Sequence, residues 1–239
     1  MRKLCFIIQQ YYYITNMKFI PLGLQCSVSD AIRAAGLCEY SYPFDWLWCP
    51  SKTTFNILHI LINDGIENAV EYMTTNYTYY EWLNNEHYKS VDYVTTCQIN
   101  SFTGLGYTHF TINAEYKNKL RVRFERLLRD IHSSEPIVFL YTDSANPYFN
   151  YHIDEVEYGV DATEYLLKIY DLIYPIHNNI KIIYFCWNER NGGNKKEGNE
   201  KEGNEVIEYF SYDHKSNWFE VSAIIKNYLT LYQYNNSYI

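Results

Sequence analysis

The sequence has no surplus of basic residues and no long apolar run. Its 20 Lys and Arg are outnumbered by 28 Asp and Glu, which gives a formal net charge of -8. Because proteins that bind nucleic acid usually concentrate Lys and Arg, we expect no nucleic-acid partner. No stretch approaches the roughly 20 apolar residues of a membrane-spanning helix, so we expect no membrane partner either.

The cysteine and histidine spacings that hold metals are also missing. The six cysteines form no C-x-x-C pair, and no His-Glu-x-x-His motif occurs. The glycines near residue 192 do not follow a strand and open a helix, as a phosphate-binding loop would. We therefore expect neither a metal nor a cofactor. The first 16 residues hold only a short apolar run, so we predict no secretory leader and expect a reducing, cytoplasmic location.

Apolar segments alternate with amphipathic helical patterns along most of the chain. This alternation predicts an α/β fold with a mostly parallel sheet and flanking helices. The predicted strands are MKFIPLG, PIVFLYT, NIKIIYFCW and VIEYF. The region from Asn76 to Asn113 has no clear period and predicts a small irregular β insertion. We expect one domain over residues 17–239, a variable extension at 1–16, and a mobile surface loop at 190–205, where apolar residues are almost absent.

Three helical patterns carry specific expectations. SVSDAIRAAG should end at Gly36, and TTFNILHILINDGIENAVEYM should break near Asp64-Gly65. The predicted buried face of that second pattern consists of Phe55, Leu58, Ile62 and Ile66. The basic pattern AEYKNKLRVRFERLLRDIHSSE should bury Leu120, Phe124, Leu127, Leu128 and Ile131.

Cys26 lies between a Pro-Leu-Gly turn and a predicted helix. In an open α/β sheet, ligands bind outside the carboxyl ends of the strands, where loops lead into helices. A thiol at the start of a helix is favoured in its thiolate form, and the same unpaired N–H groups can hold an oxyanion. Cys26 is therefore a candidate nucleophile. The alternative is a small buried apolar residue, as most cysteines outside disulfides are.

Several motifs together extend this interpretation. PLGLQCSVSDAIRAAGL, SYPFDW, GYTHF and YKNKLRVRFERLL leading into PIVFLYT occur in an order that resembles a family of papain-like cysteine peptidases, long catalogued as a domain of unknown function. The resemblance runs from about Lys18 to Thr142. It implies a cysteine-dependent hydrolase in which Cys26 is the nucleophile and His109 the general base. Where the family pattern leads us to expect Asp after that histidine, this chain has Phe110 and then Thr111.

An imidazole that serves a thiol needs a group to orient it. Asp45, in the SYPFDW block, is the first candidate for this role. Its alternative role is to cap a turn or the following helix while Phe44 and Trp46 fill the core. Asp143 is a second candidate, because it directly follows the predicted strand PIVFLYT.

A rival base lies near the C-terminus. Asp213 and His214 follow the strand VIEYF, and hydrolases of the SGNH type place an Asp and a His near the last helix. This arrangement suits an α/β pattern better than a papain-type fold does, because papain-type strands form an antiparallel half-barrel. The sequence thus leaves three alternatives: a hydrolase using His109, a hydrolase using His214, and a non-catalytic binding module. The expected substrate is of peptide, acyl or glycan type.

Four arginines lie on the predicted basic helix: Arg121, Arg123, Arg126 and Arg129. They are candidates for binding an anionic substrate. More commonly such arginines form a solvated face, here paired with Glu125 and Asp130.

Overall fold

Among the residues that the structure describes, a four-stranded sheet forms the centre. Its strands are β1 (Lys18–Pro21), β6 (Ile137–Thr142), β7 (Ile180–Trp187) and β8 (Ile207–Tyr212), in that spatial order. Every neighbouring pair is parallel, which confirms the predicted sheet type. The computed structural model describes residues 17–23, 26–38, 40–81, 96–100, 102–107, 111–142, 162–187, 206–212 and 218–236. The predicted extension at 1–16 and loop at 190–205 lie outside these residues.

Helices cover both faces of the parallel sheet. They are α1 (Cys26–Ala34), α2 (Ser51–Asp64), α3 (Ile66–Thr74), α4 (Ala114–Ile131), α5 (Thr163–Ile173) and α6 (Trp218–Asn236) in the described part of the chain. Successive strand residues point to opposite faces. Val138 and Leu140 accordingly pack with α1 and α6, whereas Ile137, Phe139 and Tyr141 pack with the other four helices. The mixed α/β architecture with flanking helices is confirmed.

A second, antiparallel sheet occupies the region predicted as a small β insertion. It consists of β2 (Leu47–Trp48), β5 (Gly106–Tyr107), β4 (Thr96–Asn100) and β3 (Tyr77–Glu81), again in spatial order. Leu47 pairs with Tyr107, and Tyr107 pairs in turn with Gln98. The segment that follows SYPFDW is therefore part of this sheet, which the sequence pattern did not predict.

The structure confirms the helix boundaries that the sequence predicted at Gly36 and Gly65. Gly36 has φ +71°, and the backbone N–H of Leu37 donates to the carbonyl of Ile32 at 3.0 Å, so the chain stops α1 as expected. Gly65, at φ +90°, separates α2 from α3. The predicted buried face of α2 is shifted. Of its predicted members only Leu58 is fully buried, together with Ile57 and Leu61, because these residues form the stripe that packs into the core.

The basic helix α4 buries the side that its period predicts. Leu120, Phe124, Leu127 and Ile131 are fully buried, and Leu128 is half-buried at the edge of the same stripe. Asn113 caps the helix, since its side chain accepts the N–H of Tyr116 at 2.8 Å. Within the described ranges, no helix has the length and apolar content needed to cross a membrane.

Candidate active site

The turn before Cys26 is built on a glycine that no other residue can replace without strain. Leu22 extends the pairing of β1, because its N–H donates to the carbonyl of Leu140 at 2.8 Å. Gly23 follows at φ +105°, and a Cβ placed there would lie 2.7 Å from the Cβ of Cys49. The turn therefore packs directly on Cys49. The chain then reaches Cys26, which is half-buried and is the first residue of α1.

The other two cysteines whose side chains are described have different surroundings. Cys49 is fully buried and accepts a hydrogen bond from the Thr54 hydroxyl at 3.2 Å, and burial raises the pKa of its thiol to about 12. The Cys38 thiol donates to the carbonyl of Tyr40, and burial raises its pKa as well. Both groups are held as protonated thiols at neutral pH.

Asp45 is a buried carboxylate bound to the helix that Cys26 begins. It is 2% exposed. One oxygen, Oδ2, accepts from Nη2 of Arg33 at 2.9 Å, and the other, Oδ1, accepts from the Ser29 hydroxyl at 3.4 Å. Burial raises the pKa of Asp45, while the Arg33 charge and hydrogen bond act to lower it. A carboxylate has about four lone-pair directions, and the contacts with Arg33, Ser29 and the Tyr42 backbone use three of them, so Asp45 keeps the capacity to accept one further donor.

The spacing along α1 relates Asp45 to Cys26. Ser29 and Arg33 follow Cys26 by three and seven residues, so all three lie on one side of the helix. At about 1.5 Å of rise per residue, Ser29 lies roughly one turn from Cys26. Asp45 binds both Ser29 and Arg33, and therefore lies along the side of α1 that carries Cys26.

The turn containing Asp45 has a strained residue directly after the carboxylate. Trp46 has φ +64°, a left-handed conformation that costs a residue with a Cβ about 1–2 kcal/mol. Its N–H donates to the Ser29 hydroxyl at 3.3 Å, which fixes the turn against α1. Phe44 fills the core as expected, at 1% exposure, whereas Trp46 is only half-buried.

The proposed histidine follows β5, outside the described residues. His109, Asp143, Asp213 and His214 all lie in segments that the structure does not describe, so their assignment stays a prediction. The described residues on either side of residues 108–110 are both held by Gln98. Tyr107 pairs with Gln98 in the sheet, and the N–H of Ile112 donates to the Gln98 side-chain oxygen at 2.9 Å.

The arginines of α4 are engaged in several ways. Arg121 makes a two-point contact with Glu67 of α3, at 2.7 and 2.9 Å, rather than with Glu125. Nε of Arg129 lies 3.6 Å from Oδ1 of Asp130, one of the two acidic partners expected for this group of arginines. Arg126 lies over the ring of Tyr40 and donates to the carbonyl of Ser41. In the described ranges, no three His, Cys, Asp or Glu residues group closely enough to hold a metal ion.

Two residues of this site, Ser29 and Arg33, were not predicted from the sequence. Both were visible as polar residues four apart on the predicted helix, on the same side as Cys26. What could not be seen is that the SYPFDW turn packs against that side. The fold and these contacts define an α/β protein with a candidate thiol site at the carboxyl end of β1.

The match to a protein family agrees with a candidate thiol site in an α/β protein. Residues 17–166 match the family described as "Putative papain-like cysteine peptidase (DUF1796)". The match covers more than half of the chain, so the chain belongs to this family, as the motifs of the sequence predicted. Neither the curated proteins nor the solved structures provide a significant match.

Proposed function

We propose that the chain is a cysteine-dependent hydrolase, a peptidase or a related acyl or thioester hydrolase. In this proposal Cys26 is the nucleophile, His109 the general base and Asp45 the group that orients the imidazole. The observation that carries it is the position of Cys26 at the start of α1, with the buried Asp45 bound along the same side of that helix. Family membership supports the same class of activity.

The chemistry follows from these roles. His109 takes the thiol proton, and the Cys26 sulfur attacks the substrate carbonyl carbon to form a tetrahedral intermediate. Backbone N–H groups at the start of α1 stabilise the oxyanion. The imidazolium then protonates the leaving group as the acyl-enzyme forms. A water molecule, deprotonated by the same imidazole, releases the acid and restores the thiol.

Chain connectivity favours His109 as the base. His109 is two residues from Tyr107, and two extended residues span at most about 7 Å. Tyr107 pairs with Leu47, which is itself two residues from Asp45. This short path through the chain and the strand pairing supports the choice of His109 as the imidazole that Asp45 orients.

Strand order counts against His214, although an α/β pattern alone had favoured it. Cys26 follows β1, whereas His214 follows β8, and these are opposite edges of the parallel sheet. With neighbouring strands about 4.8 Å apart, three spacings separate the two strands by roughly 14 Å. Asp143, which follows the adjacent strand β6, remains the second candidate for the orienting role.

The test is the pH dependence of Cys26 alkylation by iodoacetamide, followed by mass spectrometry of the Cys26 peptide. We expect half-maximal reactivity well below the value of about 8.5 that an ordinary thiol shows. Cys38, which is also half-buried but held as a thiol, is the internal reference. His109→Asn should raise the Cys26 midpoint, and His214→Asn should leave it unchanged.

Two results would reject this proposal. A wild-type midpoint near that of an ordinary thiol would remove Cys26 as an activated nucleophile. A shift caused by His214→Asn but not by His109→Asn would show that the base is wrongly assigned.

A generic acyl thioester should also be hydrolysed by the wild type and not by Cys26→Ala.

A further inference from the structure

The side of α1 that begins with Cys26 carries two polar residues to which the proposed reaction gives no role. Arg33 donates to Oδ2 of Asp45 at 2.9 Å and also to the Ser41 hydroxyl at 2.7 Å. Ser29 donates to Oδ1 of Asp45 and accepts the N–H of Trp46. Both oxygens of the carboxylate are therefore bound by the nucleophile's own helix.

We propose that Arg33 and Ser29 are positioning residues, which keep Asp45 ionised and fixed so that it can orient the base of Cys26. The inference rests on the proposed function. It assigns to α1 a second task besides presenting the thiol, namely holding the carboxylate that the reaction needs.

Burial makes such support necessary. The Asp45 side chain is 2% exposed, and an unpaired charge at that depth is strongly unfavourable. The ionisable groups that act on Asp45 or respond to it are Arg33, Arg123 and Tyr116 on α1 and α4, and Cys38 after α1. Arg33 makes a direct ion pair with it. Without that guanidinium, the pKa of Asp45, which burial already raises, would rise further, because the charge that favours the ionised carboxylate is lost.

Ser29 contributes geometry rather than charge. The Ser29 hydroxyl bonds both to the carboxylate of Asp45 and to the backbone N–H of Trp46, which has the strained φ of +64°. A hydroxyl at this place opposes relaxation of the turn, and relaxation would move the carboxylate. Strained backbone persists only where surrounding contacts hold it.

The experiment compares Cys26 alkylation by iodoacetamide, from pH 5 to 9, in the full chain and its variants. Arg33→Met should slow alkylation at pH 6.5 by about tenfold, because the midpoint rises by about one pH unit. Arg33→Lys, which keeps the charge, should restore much of the rate. Arg121→Met is the matched control, since Arg121 also pairs with a carboxylate but on the exposed side of α4.

Ser29 supplies an independent pair of variants. Ser29→Ala should raise the midpoint by a smaller amount, and Ser29→Thr, which keeps the hydroxyl, should restore it. Millimolar guanidinium chloride should also accelerate alkylation of Arg33→Met, because the Arg33 side chain is 36% exposed and its place is open to a small cation. If Arg33 only stabilised the fold, guanidinium chloride would not accelerate alkylation of Arg33→Met without also changing the thermal stability of the variant.

The outcomes separate this inference from the proposed function. If wild-type Cys26 itself titrates as an ordinary thiol, the proposed function fails. If wild-type Cys26 is activated but Arg33→Met and Ser29→Ala both keep its midpoint, the positioning role is overturned. If Arg33→Met does not fold, the comparison of Ser29→Ala with Ser29→Thr decides the question.

Discussion

The two sheets of this molecule bury very different side chains. All six residues of β6 in the parallel sheet are buried, and five of them are apolar or aromatic; the sixth, Thr142, donates to the carbonyl of Phe185 at 3.1 Å. In the antiparallel sheet, by contrast, β4 buries two amides, Gln98 and Asn100, each 3% exposed. The parallel sheet is a platform stabilised by apolar burial, whereas the antiparallel sheet buries hydrogen-bonding amides beside apolar and aromatic residues such as Leu47 and Tyr107.

Those buried amides hold loops. Asn100 accepts the N–H groups of Phe102 and Thr103 and donates to the carbonyl of Thr75. Gln98 holds Ile112 just after the segment that contains His109. The parallel sheet therefore determines where Cys26 lies, while the antiparallel sheet holds Tyr107 and Ile112, the described residues that flank the proposed base.

The largest effect is expected in the parallel sheet. Phe139 is fully buried and lies between Ile20 and Ile182 in the strand register. Phe139→Ala should lower the free energy of unfolding by about 3–5 kcal/mol, through lost burial and a residual cavity. Urea denaturation measures this loss. Phe102→Ala is the control, because Phe102 is 75% exposed and its truncation should change stability by less than about 0.5 kcal/mol.

A smaller loss is expected in the antiparallel sheet. Asn100→Leu leaves three backbone groups without their side-chain partner, so we expect a loss of about 1–3 kcal/mol by the same measurement. Asn68→Leu is the matched control on an exposed helix surface. An equal loss in Asn68→Leu would contradict the special role given to the buried amides.

The smallest effect concerns the start of α4, where the chain leaves the antiparallel sheet. Asn113→Ala removes the side chain that accepts the N–H of Tyr116, and should lower the free energy of unfolding by about 1 kcal/mol. Asn113→Ser should retain most of this stability. A loss as large as that of Phe139→Ala would mean that the cap also supports the core. It would contradict the view that the parallel sheet contributes more stability than the polar contacts around the antiparallel sheet.

The sequence alone predicts those strands and helices that are long enough to show a hydrophobic pattern. The strand PIVFLYT and the buried stripe of α4 were predictable, because continuous apolar residues and a 3.6-residue period leave a clear pattern. The two-residue strands β2 and β5 are too short to show any period. Periodicity also reports which side of an element is buried and not what covers it.

In the candidate site, too, some residues are predictable from local sequence and others are not. Cys26 and Asp45 could be proposed from local motifs, since each lies in a distinctive turn. The Arg33–Asp45 pair could not, because an arginine on a helix usually faces solvent and only the path of the SYPFDW turn brings the carboxylate to it.

The strand order also has a consequence for the entropy of the chain. β7 pairs with β6 and β8 pairs with β7, and these partners are close in sequence, with residues 143–179 between the first pair and residues 188–206 between the second. Lys18 of β1 instead pairs with Ile137, so the loop that this contact closes contains α1 to α4 and the antiparallel sheet as far as the structure describes them. Closing a longer loop costs more conformational entropy, and contacts between distant residues form slowly. The strand that delivers Cys26 to the sheet is thus joined by the contact that closes the longest loop among the strand pairings of the parallel sheet, so placing the thiol carries the largest loop-closure cost of these pairings.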